Sequence, residues 1–290
     1  MTPFTIVQCS NFNGLNRYRS EGAAAMQPVL EQRAALGFNA LRDWTVFNIS
    51  GIGVSAPTDD LYAAIPDYLA LCEAYGLYVE ITAFTGPYPY FPSQDAMLTH
   101  WDRLINVLHD CPNLLDLEAV NEGDNGPNQG VPLNQLTRPP FLSSHGSATQ
   151  DAPPMSPPWS VAGFRPASNE WQRKVGHNAM EWADTWHLPV WSNETTRMPD
   201  NDGNPNHAYD AAASAALLCA GSCFHSPAGK AATLFSGQEL VCAQAWANGA
   251  RSVPLEFQQG VYFHPDDAGY LRRYGRRLPD GREYIVGVRP

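Results

Sequence analysis

Short apolar runs rich in β-branched and aromatic residues alternate along this chain with segments whose apolar positions have helical spacing. The runs predict strands over residues 4–9, 39–47, 77–84, 114–120, 140–144, 189–193, 222–224 and 283–288. Helices are predicted between them; one is expected to follow an N-cap at Ser93, and another, over residues 237–248, to end at Gly249. This alternation is typical of βαβ units around a parallel sheet.

The alternation breaks between residues 123 and 167, where the chain is rich in Pro, Gly, Asn and Ser. A loop of this length in a compact domain usually forms a lid or a binding wall. We therefore expect an α/β fold, a (β/α)8 TIM-like barrel with one irregular or shortened βα unit after the fourth strand. Residues 1–290 are expected to form this single domain, with a long loop region at 123–167 and a C-terminal extension at 255–290.

Composition and charge exclude several classes of partner. The 290 residues are 44% hydrophobic and 16% charged, which suits a compact folded domain. The formal net charge of −11 repels phosphate backbones, so nucleic acid is not an expected partner. The chain has no apolar run long enough for a membrane span and no visible secretory signal. We therefore expect no membrane partner, a cytoplasmic or virion-associated location, and six reduced cysteines in the core.

Polar side chains follow the predicted strands, which is where the reactive groups of a parallel barrel lie. Two strands end in the same dipeptide, Asn121-Glu122 and Asn193-Glu194. A carboxylate at the mouth of a barrel is costly to desolvate unless it is paired or used. Two carboxylates on facing walls can cleave a glycosidic bond, because one donates a proton while the other is ionised. The structural alternative is that each Glu caps a following helix or binds a loop amide.

Other residues at strand ends and in long loops are candidates for substrate binding. Arg42 can keep one Glu ionised by charge pairing, or it can form a structural salt bridge with Asp43 or another barrel carboxylate. The amides of Asn121 and Asn193 can bind sugar hydroxyls. Two histidines and two tryptophans can bind a sugar or stack on its ring: His145, His225, Trp44 and Trp159. The structural alternative is that the histidines form hydrogen bonds within loops and the tryptophans pack against loop residues.

Three segments resemble motifs of clan A glycoside hydrolases. Leu-Gly-Phe-Asn-Ala-Leu-Arg at 36–42 resembles their second-strand motif, and Ala-Val-Asn-Glu at 119–122 resembles their fourth-strand acid/base motif. Trp-Ser-Asn-Glu at 191–194 resembles a seventh-strand nucleophile segment. The resemblance covers most of the chain, and it implies that Glu122 is the acid/base and Glu194 the nucleophile of a retaining hydrolase.

The chain is also similar to uncharacterised barrel proteins encoded by phages and prophages, including its segments 174–178 and 224–226. The clan resemblance implies that His145 matches a histidine of the cleft. Two features depart from the clan pattern: the connection after Glu122 is short, and Asp43 occupies a position that is more usually apolar.

These observations predict a retaining glycoside hydrolase that cleaves an O-glycosidic bond in a neutral or weakly charged glycan and needs no cofactor. Its two carboxyl groups are expected about 5–5.5 Å apart. One alternative is a non-catalytic glycan-binding barrel module of a phage virion. The other is a metal-dependent barrel hydrolase or isomerase, because such enzymes place His, Asp and Glu at strand ends.

Overall fold

A computed structural model shows a parallel sheet covered by helices. It describes residues 5–46, 57–85, 91–121, 130–144, 162–164, 190–192, 197–219, 221–258, 269–270 and 272–290. The eight strands of the sheet are β1 (Gln8–Ser10), β2 (Ala40–Trp44), β3 (Tyr78–Phe84), β4 (Leu114–Val120), β5 (Ser143–Ser144), β6 (Ala162–Phe164), β7 (Val190–Ser192) and β8 (Gly221–Phe224).

The order of the strands follows the order of a barrel. It runs β5-β4-β3-β2-β1-β8-β7-β6, and each recorded pair is parallel. The β1–β8 pair joins the first strand to the last, as in a closed barrel. β5 and β6 are the two edges of the sheet in the part of the chain that the structure describes.

The described helices connect these strands. They are α1 (Gly14–Glu21), α2 (Ala23–Leu36), α3 (Asp59–Ala74), α4 (Gln94–Leu108), α5 (Pro205–Leu218), α6 (Pro227–Ala231) and α7 (Gly237–Ser252). The predicted N-cap at Ser93 is confirmed, since its hydroxyl accepts from the Ala96 amide at 3.2 Å. The main core lies between the helices and the outer face of the sheet. No helix among the described residues is both long and apolar enough to cross a membrane.

The connection after β4 is irregular in its described part. Its described part, residues 130–142, contains one 3-10 helix (Leu133–Gln135) and no α-helix. This agrees with an irregular unit after the fourth strand. β6 lies inside region 123–167, where the hydrophobic pattern predicts no strand beyond residue 144. Its three residues are too few to produce a recognisable alternation.

The C-terminal segment packs on α5 as an antiparallel hairpin. A 3-10 helix (Leu255–Phe257) precedes strands β9 (Arg272–Arg277) and β10 (Glu283–Val288). Val286 and Val288 join a small second core with Leu217 of α5. The hairpin therefore covers a helix on the outside of the sheet.

The six cysteines are thiols that form no disulfide bonds, as expected from their scattered positions. Five are buried, and burial raises the pKa of Cys9 to about 12. Cys111, between α4 and β4, is only half-buried.

Gly249 does not end α7, contrary to the prediction from sequence. The helix continues to Ser252, and a Cβ on Gly249 would lie 2.2 Å from the carbonyl oxygen of Tyr209 in α5. The glycine is therefore needed where the two helices approach closely. We expect Gly249→Ala to lower the free energy of unfolding by about 1–3 kcal/mol.

Urea unfolding measures this effect, with Gly203→Ala as the matched control. A Cβ on Gly203 has its nearest neighbour at 3.6 Å, so this variant should unfold like the parent. Equal stability of the two variants would contradict the close-approach interpretation.

Candidate active site

The site is built at the carboxyl ends of the strands and on the inner face of the sheet. In-register residues on parallel strands point to the same face. Two rows share the inner face: Arg42, Glu80 and Asp116, and then, two residues further along, Trp44, Thr82 and Glu118. The residues between them, such as Ile81 and Leu117, lie in the core against the helices.

Arg42 is fully buried at the centre of this face. Its Nε and Nη2 donate to Oε2 of Glu118 at 3.0 and 2.6 Å. Nη2 also donates to Oδ1 of Asn121 at 3.0 Å, and Nε lies 3.3 Å from Oε1 of Glu80. The Thr82 hydroxyl donates to the same Glu118 oxygen. Arg42 therefore links two inner-face carboxylates to the amide that follows β4.

The structural alternative for Arg42 is a salt bridge, and the recorded bridges are to Glu118 and Glu80. Asp43 lies on the opposite face of β2, where it accepts from the Leu15 amide of α1 at 3.1 Å. The salt bridges and the bond to Asn121 coexist, because the guanidinium presents several donors in a fixed plane.

The inner face carries more carboxyl groups than cations among the described residues around Arg42. Burial, followed by the charge of Glu118, raises the pKa of Glu80 well above its ordinary value. The amide of Gln8 donates to Glu80 at 2.5 Å. Burial also raises the pKa of Asp116 to about 7, and the Ser144 hydroxyl donates to it at 2.5 Å. The raised pKa values favour the neutral forms of Glu80 and Asp116, which reduces the excess of negative charge around Arg42.

An aromatic stack lies beside Arg42. The rings of Phe12 and Trp44 are 3.8 Å apart and inclined by 11°, and the His225 ring lies 5.2 Å from Phe12. The guanidinium carbon of Arg42 is 5.3 Å from the Phe12 ring. Trp44 and His225 are each only 4% exposed, so both side chains are closely surrounded by other atoms of the protein. We refer to Phe12, Trp44 and His225 as the aromatic stack.

Several predicted site residues fall outside the part of the chain that the structure describes. They are Glu122, His145, Trp159, Asn193 and Glu194. The positions that precede the two Asn-Glu segments are described in part: Asn121 precedes Glu122, and β7 ends at Ser192, next to Asn193. β4 and β7 are separated in the sheet by β3, β2, β1 and β8. The predicted distance between the two Glu carboxyl groups stays a prediction.

Four functional candidates were not predicted from the sequence: Phe12, Glu80, Asp116 and Glu118. The signal for the three carboxylates is a charged residue at alternate positions within otherwise apolar strands, Tyr-Val-Glu-Ile-Thr-Ala-Phe in β3 and Leu-Leu-Asp-Leu-Glu-Ala-Val in β4. An ionisable residue inside a strand with core on one face indicates a polar inner face. Phe12 lies two residues beyond β1, in a loop whose conformation no local pattern specifies.

The buried aspartates give an expected dependence of stability on pH. The pKa values of Asp43 and Asp116 are raised from 3.8 to about 7, chiefly by burial. The unfolded chain loses these protons near pH 4 and the folded chain near pH 7. The free energy of unfolding should therefore fall as pH rises from about 4 to about 7, by roughly 1.4 kcal/mol per pH unit for each group.

Urea unfolding between pH 4.5 and 8 measures this slope. Asp116→Asn should remove the part of the slope that Asp116 contributes. Asp95→Asn, at an exposed residue of α4, should leave the slope unchanged. Stability that rises with pH through this range would contradict the raised pKa values.

No protein-family model and no curated protein matches this chain. Solved structures do match its fold. One is a GH5_18 protein from Bifidobacterium longum subsp. infantis, with a TM-score of 0.63, 13% identity, and coverage of 89% of this chain and 81% of that chain.

Two further matches have similar scores. A GH5_18 protein from Streptomyces cattleya in complex with GlcNAc has a TM-score of 0.58, 13% identity, and coverage of 85% of this chain and 80% of that chain. An endo-β-1,4-mannanase from Thermotoga petrophila has a TM-score of 0.59, 9% identity, and coverage of 98% and 84%. The chain therefore has the α/β-barrel fold type of these glycoside hydrolases. Among the described residues, no group of three or more His, Cys, Asp or Glu side chains could hold a metal ion.

Proposed function

We propose that the protein is a retaining glycoside hydrolase whose acid/base is Glu122 and whose nucleophile is Glu194. The observation that carries the proposal is the 3.0 Å hydrogen bond from Arg42 to Asn121, the residue immediately before Glu122. Arg42 is itself fixed by Glu118 at 2.6 Å. The end of β4 is thus held by a charged network, in a fold that glycoside hydrolases also adopt.

In the proposed reaction, Glu122 gives its proton to the leaving oxygen while Glu194 attacks the anomeric carbon. The bond to the leaving group breaks as the glycosyl-enzyme bond forms. Water then attacks the anomeric carbon and transfers a proton to Glu122, and the Glu194 carboxylate leaves. Because Oδ1 of Asn121 accepts from Arg42, the Asn121 amide contributes to a ligand as an N–H donor. The reaction needs no cofactor.

The proposal includes a complete barrel within a single domain of residues 1–290. The cyclic strand order supports it, since β5 and β6 are the two strands that remain to be joined. Region 123–167 begins directly after Glu122, at the carboxyl end of β4, so we propose that it forms a wall of the cleft. Trp159 and His145 of this region, together with Asn193, Trp44 and His225, are proposed glycan contacts.

The proposed substrate is a neutral or weakly charged glycan, because the net charge of −11 disfavours strongly anionic polymers. The matched structures include a β-1,4-mannanase and a GlcNAc complex, so β-linked mannosyl and N-acetylglucosaminyl oligosaccharides are the first probes. Turnover of these and of β-glucans, followed by the release of reducing sugar, tests the proposal. We expect hydrolysis with retention of anomeric configuration.

A non-catalytic glycan-binding module is the second candidate, and the irregular connection between β4 and β5 favours it. Calorimetric titration with the same oligosaccharides separates the two functions. Binding without any cleavage would support the module and contradict the hydrolase. Neither binding nor cleavage across the panel would contradict both.

A further inference from the structure

Asp43 is a buried carboxylate with several donors, on the face of β2 that packs against the helices. Its Oδ1 accepts from the Leu15 amide at 3.1 Å. Its Oδ2 accepts from the Asn11 side-chain amide at 3.0 Å and from the Tyr68 hydroxyl at 2.8 Å. The Asn11 amide also donates to the Tyr68 oxygen at 2.8 Å. Asp43 thus joins the loop after β1, the first turn of α1, and α3.

The loop between β1 and α1 closes tightly around this carboxylate. A Cβ on Gly14 would lie 2.5 Å from Oδ1 of Asp43 and 2.0 Å from the Asn11 amide nitrogen. Any side chain at position 14 would therefore displace the groups that bind Asp43. The contact with the Leu15 amide also places a carboxyl group at the amino end of α1, where exposed backbone N–H groups need acceptors.

This loop carries Phe12, which belongs to the aromatic stack. The Trp44 amide donates to the Phe12 carbonyl at 3.2 Å, and the Phe12 ring stacks on the Trp44 ring at 3.8 Å. Phe12 also contacts His225 and Arg42, so its position affects three groups of the candidate active site. Phe12 lies within this short loop, and Asp43 contacts the loop and the start of α1 from β2, through Asn11 and Leu15.

We propose that Asp43 is a positioning residue for glycan binding: it fixes the β1–α1 loop, and through Phe12 it fixes Trp44 and His225. The expected effect on glycan binding and catalysis rests on the proposed function. The positioning of the loop and of the aromatic stack by Asp43 does not depend on it. Asp43 makes no contact with substrate and acts only through the loop.

Asp43→Asn is the informative variant, because the side chain keeps its shape while one of its two acceptors becomes a donor. If the new NH2 group faces the Leu15 amide, two donors oppose each other and the bond at the start of α1 is lost. If it faces Asn11 and Tyr68, these groups must turn to accept from it, and their present bonds to residue 43 are lost. Either arrangement changes how residue 43 is bonded to the loop and to α1.

The first measurement is the contribution of Trp44 to near-ultraviolet circular dichroism, taken as the difference between a protein and its Trp44→Phe variant. We expect this difference spectrum to lose most of its intensity in the Asp43→Asn background. It should keep its intensity in an Asp210→Asn background, where a buried aspartate that pairs with Arg289 is altered in α5, away from the stack. An unchanged Trp44 spectrum in Asp43→Asn would overturn the proposal.

The second measurement is kinetic. With an oligosaccharide that the parent cleaves, Asp43→Asn should raise KM about two- to tenfold, the range expected from losing an aromatic contact. The kcat should change by less than about twofold, since Glu122 and Glu194 are unaltered. Asp210→Asn should leave KM unchanged, and a fall in kcat alone for Asp43→Asn would contradict positioning of a binding surface.

If Asp43→Asn folds poorly, Tyr68→Phe tests the same loop. It removes one donor to Asp43 and should give a smaller loss of the Trp44 signal in the same direction. If the parent cleaves and binds no glycan, the proposed function fails, while the spectroscopic comparison still decides whether Asp43 positions the stack.

Discussion

Glu194→Gln is expected to lower kcat by roughly three or more orders of magnitude while glycan binding survives. The amide keeps the size and hydrogen-bonding reach of the carboxylate but cannot attack the anomeric carbon. Steady-state kinetics and calorimetric titration on the same oligosaccharide measure the two effects. Glu31→Gln, at an exposed residue of α2, is the matched control and should behave like the parent.

Glu122→Gln has a different expected signature, because the acid/base is needed least when the leaving group requires no proton. Activity on aryl glycosides with good leaving groups should fall less than activity on natural glycans. Azide should partly restore turnover, since it attacks the glycosyl-enzyme without a general base. Equal and modest losses of activity in Glu122→Gln and Glu194→Gln, with no restoration by azide, would show that these two residues are not the catalytic carboxylates.

Arg42→Lys is expected to have the second-largest effect, lowering kcat/KM on the order of 10²-fold through misplacement of the end of β4. A single ammonium group cannot serve Glu118, Asn121 and Glu80 at once, as the guanidinium does. The free energy of unfolding should also fall, by about 1–3 kcal/mol, because buried acceptors lose their donors.

Arg103→Lys provides the control for this prediction. Arg103 forms an exposed ion pair with Asp59 at 2.8 Å, and exposed pairs contribute little to stability. Kinetics and urea unfolding on both variants complete the comparison. An Arg42→Lys enzyme with the activity and stability of the parent would show that the buried network does not support the site.

Most strands of the fold could be predicted because their patterns are local, but the hydrophobic pattern predicts neither β6 nor β9. The run 114–120 coincides with β4 and the run 283–288 with β10, since a continuous apolar run or a strict alternation is enough to define a strand. α1 was not predicted. Its sequence, Gly-Leu-Asn-Arg-Tyr-Arg-Ser-Glu, is mostly polar, and its first turn is stabilised by Asp43 of β2. The helix propensity of a segment does not include contacts with residues distant in sequence.

The candidate site was predictable in its strand-end residues but not in its supporting network. The sequence places Arg42 near the end of the second strand and Asn121 directly after the fourth, and the structure connects the two side chains directly. The link from Arg42 to Glu118 depends on the registers of β2 with β3 and of β3 with β4, which the sequence of a single strand does not reveal. Gly249 shows the converse case: glycine is common just after helix C-termini, but here it lies inside α7 and allows α5 and α7 to approach closely.

The cysteines provide a native attachment point for a reporter group. Cys111 is the half-buried thiol among six, so alkylating reagents should reach it before the five buried thiols. It lies just before β4 begins, whereas Asn121 lies just after β4 ends. Seven strand residues at about 3.3 Å each place about 20 Å or more between them. A fluorophore or spin label on Cys111 would thus lie at the end of β4 opposite to the candidate active site. It would leave the approach of a glycan unobstructed.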